Sequence, residues 1–134
     1  KKDKYLILDL LTWMHQNKVD YTNTFCHLMN FNTQKNNIYE GTDFGNWKKR
    51  WRERSLSYDN SEEKCKNLMR SVNPLIIPRN QIVENTLKEA NQGNLEPINS
   101  FLKILKNPFT DQKNISEYQI PLSPNESYKT FCGT

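Results

Sequence analysis

Apolar residues recur at helical spacing in six separate stretches, and nowhere does the chain alternate apolar and polar residues long enough to make a half-buried strand. Leu6, Ile7, Leu10, Leu11 and Met14 form one stripe, which Asn17-Lys18 closes. Asp20 is placed to cap a second helix with Tyr21, Phe25, Leu28 and Met29 on one face. Asp43 is placed to cap a third, with Phe44, Trp47 and Trp51 inward. Asn60 and Glu63 have capping-box spacing ahead of Cys65, Leu68, Met69 and Val72. Ile82, Val83, Thr86, Leu87 and Ala90 mark a fifth helix that Gly93 suits at its C′ position. Asn94 and Pro97 open a sixth, whose inner face is Ile98, Phe101, Leu102 and Leu105. The expected fold is all-α: a bundle or array of about six helices over residues 1–107. Residues 108–134 have no clean period and contain Pro108, Pro121 and Pro124, so an extended C-terminal tail carrying Cys132 is expected there.

Composition narrows the function classes. Only 35% of the 134 residues are hydrophobic and mean hydropathy is −0.90, so the core is thin or is completed by something outside this sequence. The longest apolar runs are too short to span a bilayer, so no membrane role is expected. Nineteen Lys and Arg against fifteen Asp and Glu give a net charge of +4, a mild bias that makes nucleic acid an unfavoured partner. Cys26, Cys65 and Cys132 are odd in number and far apart, which fits a reducing compartment such as the cytoplasm rather than a disulfide scaffold. The chain opens on Lys1-Lys2-Asp3 inside a helical pattern, as a piece of a longer protein would.

The short motifs read as structure. Asp43-Phe44-Gly45 matches the tripeptide that holds Mg²⁺ in protein kinases, but no Gly-rich loop, strand lysine or catalytic loop accompanies it, so Asp43 is expected to cap a helix. The basic run from Lys48 to Arg54 contains Trp51 and could face solvent, an anionic protein or intramolecular partner, or single-stranded nucleic acid. His15, His27, Cys26 and Cys65 lack metal-site spacing, and no catalytic, cofactor-binding or metal residue is assigned. Asn114-Ile115-Ser116 and Asn125-Glu126-Ser127 have the glycosylation pattern, which carries no weight alongside reduced cysteines. Asn73-Pro74 through Arg79-Asn80 links two helices. Pro74 biases Asn73 away from helical geometry, and Asn and Arg side chains can satisfy open backbone groups at helix ends.

That last segment resembles the Asn-Pro-x-x-x-x-Arg-Asn signature of the selenoprotein O (SelO) family. Asp20-Tyr21-Thr22 with Phe25 resembles the family's Asp-Tyr-Thr-x-x-Phe segment, and Trp47 with Trp51-Arg52 resembles its Trp-x-x-x-Tyr/Trp-Arg helix. The run from Glu84 through Gly93-Asn94 to Asn107-Pro108-Phe109 is similar to its final helices. Two positions depart: Pro78 stands where an aliphatic residue is usual, and Gly133-Thr134 replace the terminal Ser-Ser that follows Cys or selenocysteine.

The resemblance implies a noncatalytic helical C-terminal region of a pseudokinase protein adenylyltransferase, which moves AMP from ATP onto protein hydroxyls. ATP and Mg²⁺ would belong to a kinase-like core that this sequence lacks. That core and the protein substrates of the whole enzyme would be the partners, with a mitochondrial location if the source is eukaryotic. Asn73, Pro74, Arg79, Asn80 and Trp47 would be the structural family motif, and Cys132 a redox candidate. The alternative is a free-standing all-α interaction module for an acidic protein or nucleic acid.

Overall fold

The structure, a computed structural model, describes residues 2–31, 37–57 and 61–121. Among these residues there are six α-helices and no strand: α1 Lys2–Gln16, α2 Tyr21–Leu28, α3 Thr42–Leu56, α4 Glu62–Val72, α5 Asn80–Asn91 and α6 Glu96–Leu105. Short 3₁₀ turns lie at Asn37–Glu40 and Ile115–Gln119. Lys1–Asn73 and Pro74–Thr134 form two compact units.

The first unit is organised by α1 and α3. Leu10, Met14, Leu28, Phe44 and Trp47 form its buried core, with Leu6, Trp13, Val19, Phe25, Tyr39, Trp51 and Met69 packed around it. The Trp47 indole Nε1 donates to the Leu6 carbonyl at 2.8 Å, fixing the two helices in register. Arg54 pairs with Asp3 and Arg50 with Asp9, so rising numbers on α1 meet falling numbers on α3 and the helices run antiparallel. Asp20 caps α2 as expected, accepting from the Asn23 amide at 2.8 Å. The Thr24 hydroxyl donates to the Asp20 carbonyl.

Three of the six α-helices end in the same way. α1, α2 and α5 each close by a paired Schellman bond: Val19 to Met14 with Lys18 to His15, Phe31 to Cys26 with Asn30 to His27, and Asn94 to Glu89 with Gly93 to Ala90. The left-handed residue at the turn is Lys18 (φ 51°), Asn30 (φ 63°) and Gly93 (φ 92°). Gly93 and the Asn17-Lys18 stop agree with the sequence.

Several expected placements change. Asp43 is not the cap of α3. Gly41 supplies the extended cap residue after the Asn37–Glu40 turn, so the helix starts before Asp43, which lies exposed in its first turn. The cap of α4 is Ser61, whose hydroxyl accepts from the Lys64 amide at 3.3 Å; Asn60 lies outside the described residues. On α1, Ile7 and Leu11 are exposed although Leu10 and Met14 are buried. On α4, Leu68 (68%) and Val72 (64%) face outward while Cys65 and Met69 are half-buried. Tyr21, Leu87 and Leu102 are exposed as well. In each case the apolar stripe is wider than the one neighbouring surface available to cover it.

In the second unit α5 packs on α6, with Leu75, Ile76, Phe101 and Ile115 buried. The chain after residue 107 turns back instead of extending at once. The Leu75 amide donates to the Pro108 carbonyl at 2.7 Å, and the buried Gln119 amide donates to the Leu75 carbonyl at 2.6 Å. Tyr118 stacks on Phe101, their rings 5.2 Å apart. Gln112 closes the end of α6 by donating to the carbonyls of Ile104 (3.0 Å) and Asn107 (2.7 Å). These glutamines are polar anchors that apolar periodicity does not register. The remainder of the expected tail, with Cys132, lies outside the described residues.

Two stability predictions follow from these contacts. Trp47→Phe keeps the ring packing but strands the register bond, and is expected to cost about 1–3 kcal/mol in denaturant unfolding. Lys18→Gly, at an exposed left-handed position, is expected to raise stability by about 1 kcal/mol, and Gly93→Ala to lower it by a similar amount; thermal melts of the two variants should move in opposite directions.

Candidate functional site

The motif residues divide between the units. Trp47 is buried in the first, between Phe44 (ring centroids 5.7 Å) and Trp51 (6.0 Å). Asn73 ends α4 with extended backbone (φ −107°, ψ 115°), the geometry that a following proline enforces. Both its backbone amide and its side-chain Nδ2 donate to the Met69 carbonyl at 2.9 Å, so the half-buried asparagine satisfies the last turn of the helix. Pro74, Arg79 and Asn80 belong to the second unit. Arg79 is the half-buried cap residue of α5, its carbonyl accepting from the amides of Ile82 and Val83 at 3.0 Å. Asn80 is the exposed first residue of that helix. All four non-aromatic members of the motif thus sit at helix ends or between them.

The basic run is largely satisfied from within. Arg50 reaches Asp9 at 2.8 Å, Arg54 grips Asp3 through two nitrogens, and Arg52 pairs with Glu62. The Arg54 hydrogen bond holds the Asp3 carboxyl below the usual range, and Lys66, then Arg52, do the same for Glu62. Among the described residues no group of three His, Cys, Asp or Glu side chains could hold a metal ion. No helix of the described residues is long and apolar enough to cross a membrane. Cys26 is buried and Cys65 half-buried, and neither is in a disulfide among the described residues.

An aromatic cluster that the sequence did not reveal stands beside the core. His27 stacks on Tyr39 with ring centroids 4.3 Å apart, and Tyr39 and Trp13 both pack against Phe44. The Tyr39 hydroxyl and the Thr24 hydroxyl share a hydrogen bond of 3.1 Å. Burial pushes the Tyr39 phenol upward, against the opposing pull of the Thr24 bond. Burial, and then the nearby Lys48 ammonium, push the His27 imidazole down. Tyr39 follows an Asn-rich stretch without helical period, so nothing in the sequence links it to His27.

The comparisons with known proteins agree with one another. The family described as "Protein adenylyltransferase SelO" matches residues 1–106. Proteins named "Protein nucleotidyltransferase YdiU" align over the whole chain: 44% identity in Pelagibacter ubique and 42% in Clostridium botulinum, each over 100% of this chain and 28% of the relative. The Alcanivorax borkumensis protein of the same name is 38% identical over 99% of this chain and 28% of its own length. The chain therefore spans a little over a quarter of the length of the curated relatives it matches. No solved structure matches it.

The His27 environment makes a pH prediction. Folding disfavours the imidazolium, so below the ordinary histidine value of about 6.5 the unfolded chain binds a proton that the folded chain resists. The contribution is fully present above that value and is lost as pH falls through the lowered folded value. Melting temperature should therefore drop more steeply for the native chain than for His27→Gln between about pH 7 and pH 5; parallel curves would remove His27 as the cause.

Proposed function

Because the chain belongs to the SelO family, we propose that it is a helical region without catalytic groups of its own that supports the catalytic part of a protein adenylyltransferase. Exposed apolar helix faces carry this reading. Ile7, Leu8 and Leu11 lie exposed on α1, and Leu68 and Val72 lie one turn apart on α4. Contiguous apolar faces of this kind mark surfaces that another part of a protein covers. Relatives in which the matched region is 28% of the length have the remaining chain to do so.

The transferred group under this reading is AMP, passed from ATP to a protein hydroxyl, with Mg²⁺ as the cofactor of the catalytic part. This reading assigns ATP and Mg²⁺ to the catalytic part, and among the described residues no group of three His, Cys, Asp or Glu side chains could hold a metal ion. No catalytic step is therefore placed on this chain.

Cys132, known from sequence alone, is the redox candidate of the same reading, in a reducing compartment such as the cytoplasm. Its thiol and a second thiol of the catalytic part would together lose two protons and two electrons to a peroxide-class oxidant and form one disulfide.

The test is made in the full-length protein. Leu11→Asp and Leu68→Asp place a charge on each exposed face. In this chain alone such surface changes should stay within about 0.5 kcal/mol. In the full-length protein they should cost roughly 2–5 kcal/mol and reduce AMP transfer, because the charge is then buried. Full-length variants with unchanged melting and transfer would overturn the supporting role.

A further inference from the structure

A small cleft among α2, α3 and α4 is built unlike the rest of the surface. It is lined by Leu28, Trp51 and Leu56 as apolar walls, and by Lys48, Arg52 and Lys66 as cations. Its volume is about 130 Å³. Among the described lining residues Glu62 is the one carboxylate, and it is already shared: Lys66 reaches one oxygen at 3.0 Å and Arg52 the other. Lys48 is half-buried, and among the described residues no carboxylate pairs with it. Among the described residues the cleft therefore holds more positive charge than its carboxylate neutralises.

We propose that this cleft is a binding site for a single oxyanion group, a carboxylate or a phosphate carried on a small apolar body. The charge argument selects an anion. Apolar walls strengthen its attraction to the surrounding cations, because a less polar surround screens them less than water does. The guanidinium of Arg52 has five donors and, among the described residues, uses only Nη2 on Glu62, so donors remain for a ligand. Lys48 supplies a further ammonium. Asn30, at the left-handed turn after α2, is a further polar lining residue.

Size limits the ligand. Sites for drug-sized molecules run from about 300 Å³ upward, so this cleft accepts one group and excludes a whole nucleotide. Its occupant is either a small free anion or an acidic or phosphorylated side chain inserted from a protein. The walls of the cleft also hold its reporter. Cys65 lines it, with the thiol directed to the Ser55 carbonyl at 3.9 Å, so an occupant shields Cys65 from a neutral alkylating reagent. This assignment stands apart from the supporting role proposed above, since it uses none of the exposed faces of α1 and α4.

The experiment measures the alkylation rate of Cys65 in the full 134-residue chain by peptide mass mapping, with inorganic phosphate, acetate or a capped glutamate peptide added at constant ionic strength. At least one of them should slow Cys65 severalfold relative to chloride. Lys48→Gln should weaken that protection about tenfold, equivalent to about 1.4 kcal/mol, while Lys49→Gln, outside the cleft, leaves it unchanged. Stronger protection by phosphate identifies a phosphoryl occupant, and stronger protection by the peptide an inserted acidic side chain. Protection no greater than that of chloride, or equal protection in Lys48→Gln with an unchanged melting curve, overturns the proposal.

Discussion

The bond from the Trp47 indole to the Leu6 carbonyl is the contact on which the first unit depends. An indole N–H buried to this degree must find an acceptor, and the one it finds lies on a different helix. That requirement sets the register of α1 against α3. Once the register is set, Asp3 meets Arg54 and Asp9 meets Arg50 on the rim, while Leu10 and Met14 reach Phe44 and Trp47 beneath. The exposed ion pairs follow from the register rather than create it, since such pairs add little in water. The aromatic rings extend the arrangement sideways, through Trp13 and Tyr39 to His27 and through Trp51 to the basic cleft.

The low apolar content and the exposed apolar faces are one phenomenon. A chain with 35% hydrophobic residues could place nearly all of them inside two small units, yet α1 keeps apolar residues on both of its sides. Leu6, Leu10 and Met14 pack inward, while Ile7, Leu8 and Leu11 do not. Under the supporting role proposed above, the second apolar side of α1 is the one that the catalytic part covers. The membership of the SelO family and the length of its relatives give that cover a natural source.

How much of this was legible depends on which residues carried the signal. The helices were legible because periodicity reports the backbone, and the Asp20 cap and Gly93 closure because each residue type has a local backbone reason to be there. The side of each helix that would be covered was not legible. Leu68 and Met69 are adjacent and equally apolar, and only the tertiary arrangement leaves one exposed and the other half-buried. The fold-back after residue 107 was missed because glutamine side chains hold it, and a glutamine that donates to a distant carbonyl looks in sequence like one that faces water. The cleft was missed for a related reason. The run Lys48 to Arg54 showed its charge, but the separate positions of Glu62 and Lys66 on α4 decide which cations are neutralised.

The segment that carried the family resemblance has a physical logic independent of it. Pro74 cannot donate a backbone hydrogen bond and forces Asn73 out of the helix, which leaves the last carbonyls of α4 without their usual partners. Asn73 keeps the ordinary helical bond from its amide to the Met69 carbonyl and adds a second from its side chain, so the last intact turn is held twice. Aspartate there has no side-chain donor, and leucine has no polar group. At the other end of the segment Arg79 takes the extended cap position of α5 although its side chain accepts no hydrogen bond, so its carbonyl receives two amides of the first turn. The segment therefore stops one helix and starts another within a few residues. That is a structural task, and it accounts for Asn73 and Pro74 without assigning either of them any chemistry.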